Sequence, residues 1–215
     1  HNFDATVGHE SYRRNFTGNT GLRINQTATG IYEFANFAAG DIVGGSSSEH
    51  RIEGYLARLN YNFDNKYYLS ASFRRDATSR FSKEARWGNF FSVGGSWRID
   101  QEKFMENVSF VDRLKFRASY GEIGNEAVGS FFASQALYSI VPNAGTPGIV
   151  WTSTGNNLLT WENQVSWDAA LEFTLFNNVL DGSVEFYRKA SQDLLFNLPI
   201  PLSEGLKIAP ENIGD

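Results

Sequence analysis

Residues 51–76 read RIEGYLARLNYNFDNKYYLSASFRRD. Tyr55, Ala57, Leu59, Tyr61 and Phe63 alternate with Gly54, Arg58, Asn60 and Asn62. After Asp64-Asn65-Lys66 the alternation resumes, with Tyr67, Leu69, Ala71 and Phe73 set against Tyr68, Ser70, Ser72, Arg74 and Asp76. A period of two with one apolar and one polar face predicts paired β-strands. Parity also fixes the turn. A three-residue loop pairs Phe63 with Tyr67, Tyr61 with Leu69 and Leu59 with Ala71, all on one face. A two-residue loop would set Tyr61 opposite Ser70 and mix the faces.

The same pattern extends in both directions. Phe3, Ala5 and Val7 open a strand over 3–13. Phe91, Val93, Gly95, Trp97 and Ile99 mark one over 88–100, and Leu114, Phe116, Ala118 and Tyr120 one over 113–123. Val165, Trp167, Ala169, Leu171, Phe173 and Leu175 line one face of 163–176, against Ser166, Asp168, Ala170, Glu172 and Thr174. A tight Asn177-Asn178 turn leads into 179–192, setting Leu175 opposite Leu180, Leu171 opposite Val184, Asp168 beside Tyr187 and Glu172 beside Ser183. Between the strands, residues 14–50 lose periodicity and read as a loop of about 35 residues, too long for a compact soluble domain unless it is functional. Residues 77–87 form a polar loop, 101–112 a short helical turn and 124–162 a second long loop. Residues 193–215, with Pro199, Pro201 and Pro210, read as the start of another.

Composition narrows the function classes. There is no cysteine, so a disulfide scaffold, a Cys-ligated metal and thiol catalysis are excluded. The net charge of −5 gives nucleic-acid binding no electrostatic support. His1, His9 and His50 are scattered, and neither a cofactor fingerprint nor a catalytic triad is legible. No apolar run exceeds three residues, so no transmembrane helix is encoded. Yet 15% of the residues are aromatic.

The connections between the seven strands run long, short, long, medium, long, short, with every long loop on one side. That segregation, with strands of about ten residues, apolar outside and polar inside, is the pattern of an outer-membrane barrel. Trp97, Trp167, Tyr61 and Tyr67 suit the aromatic girdles. An odd strand count cannot close such a barrel, so the reading is all-β: an antiparallel transmembrane β-barrel segment of about seven strands belonging to a larger barrel. Two alternatives stay open, a passive outer-membrane porin or structural barrel and a secreted β-sandwich binding module.

Longer motifs then carry a family resemblance. The stretches YLARLNYNFDNKYYLSASFRRDATSRF (55–81), RWGNFFSVGGSWRIDQEKFM (86–105), LKFRASYGEIGN (114–125) and 158–201 resemble the barrel of SusC/RagA-like TonB-dependent transporters of Bacteroidetes outer membranes. Arg75, Asp76, Ser79, Arg80 and Phe81 are similar to the family's R-x-D-x-S-x-R-F run, with Ala77 where Gly is common. Gly121, Gly124 and Asn125 match its G-x-x-G-N corner, with Glu126 where Gln is frequent. Residues 14–50 and 126–157 carry little of the signature. The resemblance implies a 22-stranded barrel filled by a plug, of which seven strands are roughly a third. It implies TonB-driven import of oligosaccharides or peptides, a SusD-like surface lipoprotein at the mouth, no cofactor and no enzymatic activity. The plug and the TonB-contacting segment are expected outside these 215 residues. The segments 14–50, 77–87, 124–162 and 193–215 become extracellular loops.

Candidate site residues follow from the faces. Arg58, Arg74, Asp76, Asp168 and Glu172 are expected to face the lumen and touch the plug. Paired carboxylates can do acid–base work, but on a barrel wall they more often hydrate the lumen. Phe131, Phe132, Tyr138 and Trp151 in the long loop are candidates for substrate contact, because flat sugar faces stack on aromatic rings. They are equally suited to packing the loop. The glycines at 94–95 and 121–124 read as strand kinks, since no phosphate-loop lysine follows.

Overall fold

A computed structural model describes all 215 residues except Leu202, Glu204, Lys207 and Asp215, and the side chains of Asp41 and Ile42. Seven strands form one antiparallel sheet in the order β1-β2-β3-β4-β5-β8-β9. They are β1 (Asn2–Gln26), β2 (Phe37–Phe63), β3 (Tyr67–Thr78), β4 (Trp87–Arg98), β5 (Val111–Asn125), β8 (Glu162–Leu175) and β9 (Leu180–Gln192). Two small hairpins stand apart, β6 (Leu137–Asn143) with β7 (Thr146–Ser153) and β10 (Leu194–Pro199) with β11 (Ile208–Ile213). Neighbours in sequence are neighbours in the sheet, except where β6–β7 is inserted between β5 and β8. The described sheet is open, with β1 and β9 at its edges.

The register is the one that parity demands. Phe63 pairs with Tyr67, Tyr61 with Leu69 and Leu59 with Ala71. The chain turns at Asp64 and Asn65, both at left-handed φ (55° and 54°). Such residues tolerate this region through local polar contacts; here the Asn65 amide donates to Asn62 Oδ1 at 3.0 Å. Leu175 pairs with Leu180, Leu171 with Val184, Asp168 with Tyr187 and Glu172 with Ser183. The connection there spans Phe176–Val179, longer than the two asparagines alone, and Phe176, Asn177 and Asn178 all take positive φ.

The long connections differ from the sequence reading. Residues 14–50 are not an aperiodic loop. β1 and β2 continue as a two-stranded ribbon from Arg14↔His50 through Thr20↔Gly44 to Gln26↔Phe37. Only 27–36 turn, closing with a 3-10 turn at Phe34–Asn36. The ribbon is solvated on both faces, so nothing forces hydrophobic alternation on its Gly, Ser and Thr residues. The segment 124–162 holds the β6–β7 hairpin, and 193–215 the β10–β11 hairpin. Leu202, Glu204, Lys207 and Asp215 of that last segment lie outside the described residues. The helical turn expected over 101–112 is two 3-10 turns, Ile99–Gln101 and Lys103–Met105.

The two faces of the sheet differ chemically. One row across the apolar face reads Phe63, Tyr67, Trp97, Phe116, Leu171, Val184. The next reads Phe3, Tyr61, Leu69, Gly95, Ala118, Ala169, Phe186. Among the described residues no second sheet covers this face, and it leaves Phe3, Val7, Leu69, Phe73, Phe91, Trp167, Val184 and Phe186 exposed. A secreted sandwich would bury such a surface; a continuous apolar wall of this extent needs an apolar solvent.

The upper edge of the apolar belt is staggered. Descending the outward face of β3 from Arg75 gives Phe73, Ala71, Leu69 and Tyr67; descending β9 from Arg188 gives Phe186, Val184, Gly182 and Leu180. Arg188 lies in the row Ala71, Val93, Tyr120, Trp167, Arg188, four residues below Arg75 along β3. Four residues are about 14 Å along the strand and four inter-strand steps about 19 Å across it, so the two arginines, taken as marking one membrane level, correspond to a strand tilt of about 35°. Glu53 on β2 and Glu122 on β5 fall on the same staircase, while the first outward polar residues of β1 and β8, His9 and Asn163, lie level with Arg75. The belt, from each arginine to the last apolar residue, measures about 27 Å along the strand and about 22 Å along the implied membrane normal. Both tilt and height match a transmembrane barrel.

At the short-turn end the belt finishes in stacked rings. Phe63–Tyr67 and Tyr67–Trp97 centroids lie 6.0 and 6.4 Å apart. Tyr67 Oη and Trp97 Nε1 both donate to Glu102 in the following turn, the indole at 3.1 Å. Those hydrogen bonds, Tyr67 first and then Trp97, with Lys66 nearby, hold the Glu102 carboxyl below its ordinary range.

Candidate functional site

The polar face is concave. It carries a groove of about 580 Å³ whose lining includes Asp4, Asn60, Ser70, Ser96, Arg117 and Asp168. Its floor is the row Asn60, Ser70, Gly94, Ser119, Asp168, where small side chains keep the wall thin. All five expected lumen residues, Arg58, Arg74, Asp76, Asp168 and Glu172, lie on this face by register.

The structure gathers them into two groups and leaves one apart. Asp168 and Glu172 meet at Arg117, which the sequence reading left out of the site. Its guanidinium donates to Asp168 Oδ1 at 2.8 Å, Glu172 Oε1 at 2.9 Å and Glu185 Oε2 at 3.2 Å. Ser119 also donates to Asp168, and Lys115 lies 3.6 Å from Glu172. Arg117 stands opposite Ala170, midway between the two carboxylates, so the fork reaches both. The sequence signal was there, since Arg117 has the polar parity of β5. It becomes readable only once β5 is paired with β8 across the intervening 36 residues. The second group is Arg74 with Asp76 at 3.0 Å and Glu10 of β1 at 3.3 Å. Gly54 lies across from Asp76, and a Cβ there would meet the carboxylate at 2.3 Å, so a glycine lets that side chain lie flat on the wall. Arg58 has no carboxylate within 4.0 Å among the described residues.

Arg75 and Arg80, close to Arg74 and Asp76 in the chain, do not join that group. Odd parity turns Arg75 outward, where its guanidinium lies 5.1 Å from the Trp87 ring. Arg80 follows β3 into the next loop and stacks over Phe131 at 4.9 Å.

The long-loop end closes over the polar face. Phe90 has the polar parity of β4, and with Phe81, Val128, Ala133, Leu159 and Trp161 it forms the one hydrophobic cluster described. Trp161 packs edge-on against Phe81 and Phe90 and donates its Nε1–H to the Arg86 carbonyl at 2.8 Å. Gly88 and Gly124 make room for the Phe90 ring: a Cβ at Gly124 would stand 2.0 Å from Phe90 Cζ. The G-x-x-G-N corner is therefore a packing requirement. Beside this cluster His50, buried to 7% exposure, pairs with Glu126 at 3.0 Å and stacks on Phe131 at 5.2 Å. Arg80 donates to the Glu126 carbonyl at 3.3 Å. Even parity was the only sequence signal placing His50 on this face.

The four loop aromatics separate into two pairs. Phe131 and Phe132 are half-buried, Phe131 between His50 and Arg80. Tyr138 and Trp151 are cross-strand partners on the β6–β7 hairpin, edge to face at 6.1 Å and both more than half exposed. No charged residue occurs between Glu126 and Glu162.

A tilted antiparallel wall, apolar and aromatic outside, polar inside, with short turns at one end and folded loops at the other, defines a segment of a transmembrane β-barrel. The family described as TonB dependent receptor-like, beta-barrel matches residues 1–215, and the chain belongs to it. This is a family of outer-membrane receptors and transporters, not of enzymes. The chain is 37% identical over 179 residues to the TonB-dependent receptor P39 of Formosa agariphila, covering 80% of this chain and 16% of that protein. It is 34% identical over 177 residues to the TonB-dependent receptor SusC of Bacteroides thetaiotaomicron, covering 78% of this chain and 18% of that one. Among solved structures it superposes on the RagAB peptide importer in its open-open state with a TM-score of 0.83 and 27% identity, over 99% of this chain and 24% of that one. The closed-closed state gives 0.79 at 23% identity, a likeness of fold. The chain thus spans less than a fifth of the length of P39 and SusC.

Proposed function

We propose that this chain is part of the barrel wall of a TonB-dependent importer of SusC type, taking up glycans or peptides with a SusD-like surface lipoprotein over its mouth. One observation carries the reading: the loop end folds inward. Phe81, Phe90 and Trp161 draw the segment 124–162 over the polar face at the end where the long connections lie. A covered loop end suits an importer that selects its cargo, and TonB dependence separates it from a passive pore. The segments 14–50, 77–87, 124–162 and 193–215 then face the outside, since short turns are periplasmic in such barrels.

The wall offers two surfaces to what passes. The groove supplies Asn, Ser, Arg and Asp side chains for hydrogen bonds to sugar hydroxyls, peptide groups or a plug, and Arg58, Arg74, Asp76, Asp168 and Glu172 belong to that surface. Tyr138 and Trp151 supply an uncharged aromatic platform suited to a sugar ring or an apolar peptide side chain. Phe131 and Phe132 act on substrate only indirectly, by holding the loop.

The test is uptake by cells carrying the full-length receptor, with oligosaccharides and oligopeptides supplied separately, in the presence and absence of TonB. The proposal expects TonB-dependent uptake and a lipoprotein that co-purifies with the receptor in detergent. Equal uptake without TonB would make it a passive pore.

A further inference from the structure

The outward face carries charge only above the apolar belt, and the two arginines that bound it are unlike their neighbours. Glu53 is engaged by His9 at 3.3 Å and by Tyr55 Oη at 2.9 Å. Glu122 accepts from Tyr120 Oη at 2.7 Å. Arg13 and Arg51, higher on the ribbon, both pair with Glu49. Arg75 and Arg188 alone among these have no carboxylate within 4.0 Å among the described residues, and both are exposed. Each stands beside aromatic rings. Arg75 lies over Trp87, itself stacked on Tyr55, and Arg188 is the cross-strand partner of Trp167.

Their positions are set by the barrel. They sit four residues apart in register on strands four steps apart, an offset that a strand tilt in the range usual for barrels brings to one height. Each lies eight residues above the far end of the belt, at its outer boundary. A guanidinium there stands beside interfacial aromatic rings, with no carboxylate within 4.0 Å among the described residues. Arginine forms two parallel hydrogen bonds to a phosphate, and its long stem keeps the charge at headgroup level.

We propose that Arg75 and Arg188 hold the phosphates of anionic lipid headgroups in the leaflet at the long-loop end, as two points of a basic rim around the barrel. Charge complementarity and continuity with the apolar belt argue for lipid as the occupant. The Glu122 carboxylate stands midway between them, so the rim is two separate basic contacts and not a continuous band. The inference rests on the orientation given above and adds the lipid it selects.

The test uses the full-length receptor in detergent, titrated with short-chain phosphatidic acid or phosphatidylcholine and read by native mass spectrometry. Wild type should bind phosphatidic acid in preference. Arg75→Gln and Arg188→Gln should each weaken that binding about fivefold, and the double variant about 25-fold, since each basic residue near an anionic surface contributes about one power of five in affinity. Arg58→Gln, on the inner face, should bind as wild type. Retention of the wild-type preference by the double variant would overturn the proposal, as would an equal loss in Arg58→Gln. Displacement of the lipid by inorganic phosphate at the same concentration would reassign the site to a free ion. A receptor that takes up neither lipid and needs no detergent would instead refute the membrane reading beneath it.

Discussion

The two faces can be tested at one depth. The outward run on β3 is centred at Ser70 and that on β9 at Ser183. One residue of stagger per strand places the midplane on β8 at Leu171. Ser70 and Leu171 therefore stand at the same height on opposite sides of the wall. Leu171→Arg places a guanidinium in hydrocarbon, flanked by Phe116 and Val184. That costs about 2–4 kcal/mol at the midplane of a barrel. Ser70→Arg places the same group in the groove beside Asn60 and Gly94, and should cost about 0.5 kcal/mol or less, as for a solvated surface site. The assay is reversible urea unfolding of the full-length receptor in lipid vesicles. Equal losses at the two positions, or a larger loss at Ser70, would refute the assignment of faces.

Three further outcomes follow from the geometry. Arg117→Met should lower stability by about 1 kcal/mol, because its partners are a third exposed and screened, and a double-mutant cycle with Asp168→Asn should show coupling of about 0.5 kcal/mol or more; additive losses would mean the two do not interact. Gly124→Ala should cost about 1–3 kcal/mol by driving a methyl group into the Phe90 ring and should speed protease nicking within 126–160; Phe90→Leu should recover part of that loss, and failure to do so would remove the clash as the cause. Glu102 titrates below its unfolded value, so its contribution is present above the ordinary carboxylate range and is lost as pH falls through the folded value. Glu102→Gln should accordingly flatten the stability profile on the acid side of that range, while an unchanged profile would show that the Tyr67 and Trp97 bonds do not discriminate the ionised form.

Much of the wall was legible because a half-lipid, half-water sheet imposes a strict period of two. The turn at Asp64-Asn65-Lys66 and the pairing of Leu171 with Val184 followed from parity alone. Where both faces meet water the constraint vanishes, and so does the signal. The ribbon from Arg14 to Glu49 is regular in backbone and shapeless in composition, and the β6–β7 and β10–β11 hairpins escaped notice for the same reason. The inner face was legible as a set of polar residues but not as contacts. Arg75 and Asp76 are adjacent in the chain yet point to opposite sides of the membrane wall. Arg117 and Asp168 are 51 apart and bonded. His50 and Glu126 meet only because loop packing around Phe90 brings the corner at Gly124 over β2, a tertiary event that no local pattern encodes.

The alternation itself is the central claim, and site-directed spin labelling tests it: this chain has no native cysteine, and any cysteine elsewhere in the full-length receptor is first replaced. Labels placed singly at each position from 165 to 175 in the full-length receptor, reconstituted in vesicles, report collision with oxygen in lipid and with a nickel chelate in water. Oxygen accessibility should peak at Val165, Trp167, Ala169, Leu171 and Phe173, and nickel accessibility at Ser166, Asp168, Glu172 and Thr174, with Ala170, buried beneath Arg117, low in both. A period other than two, or nickel access equal on both faces, would contradict a membrane wall.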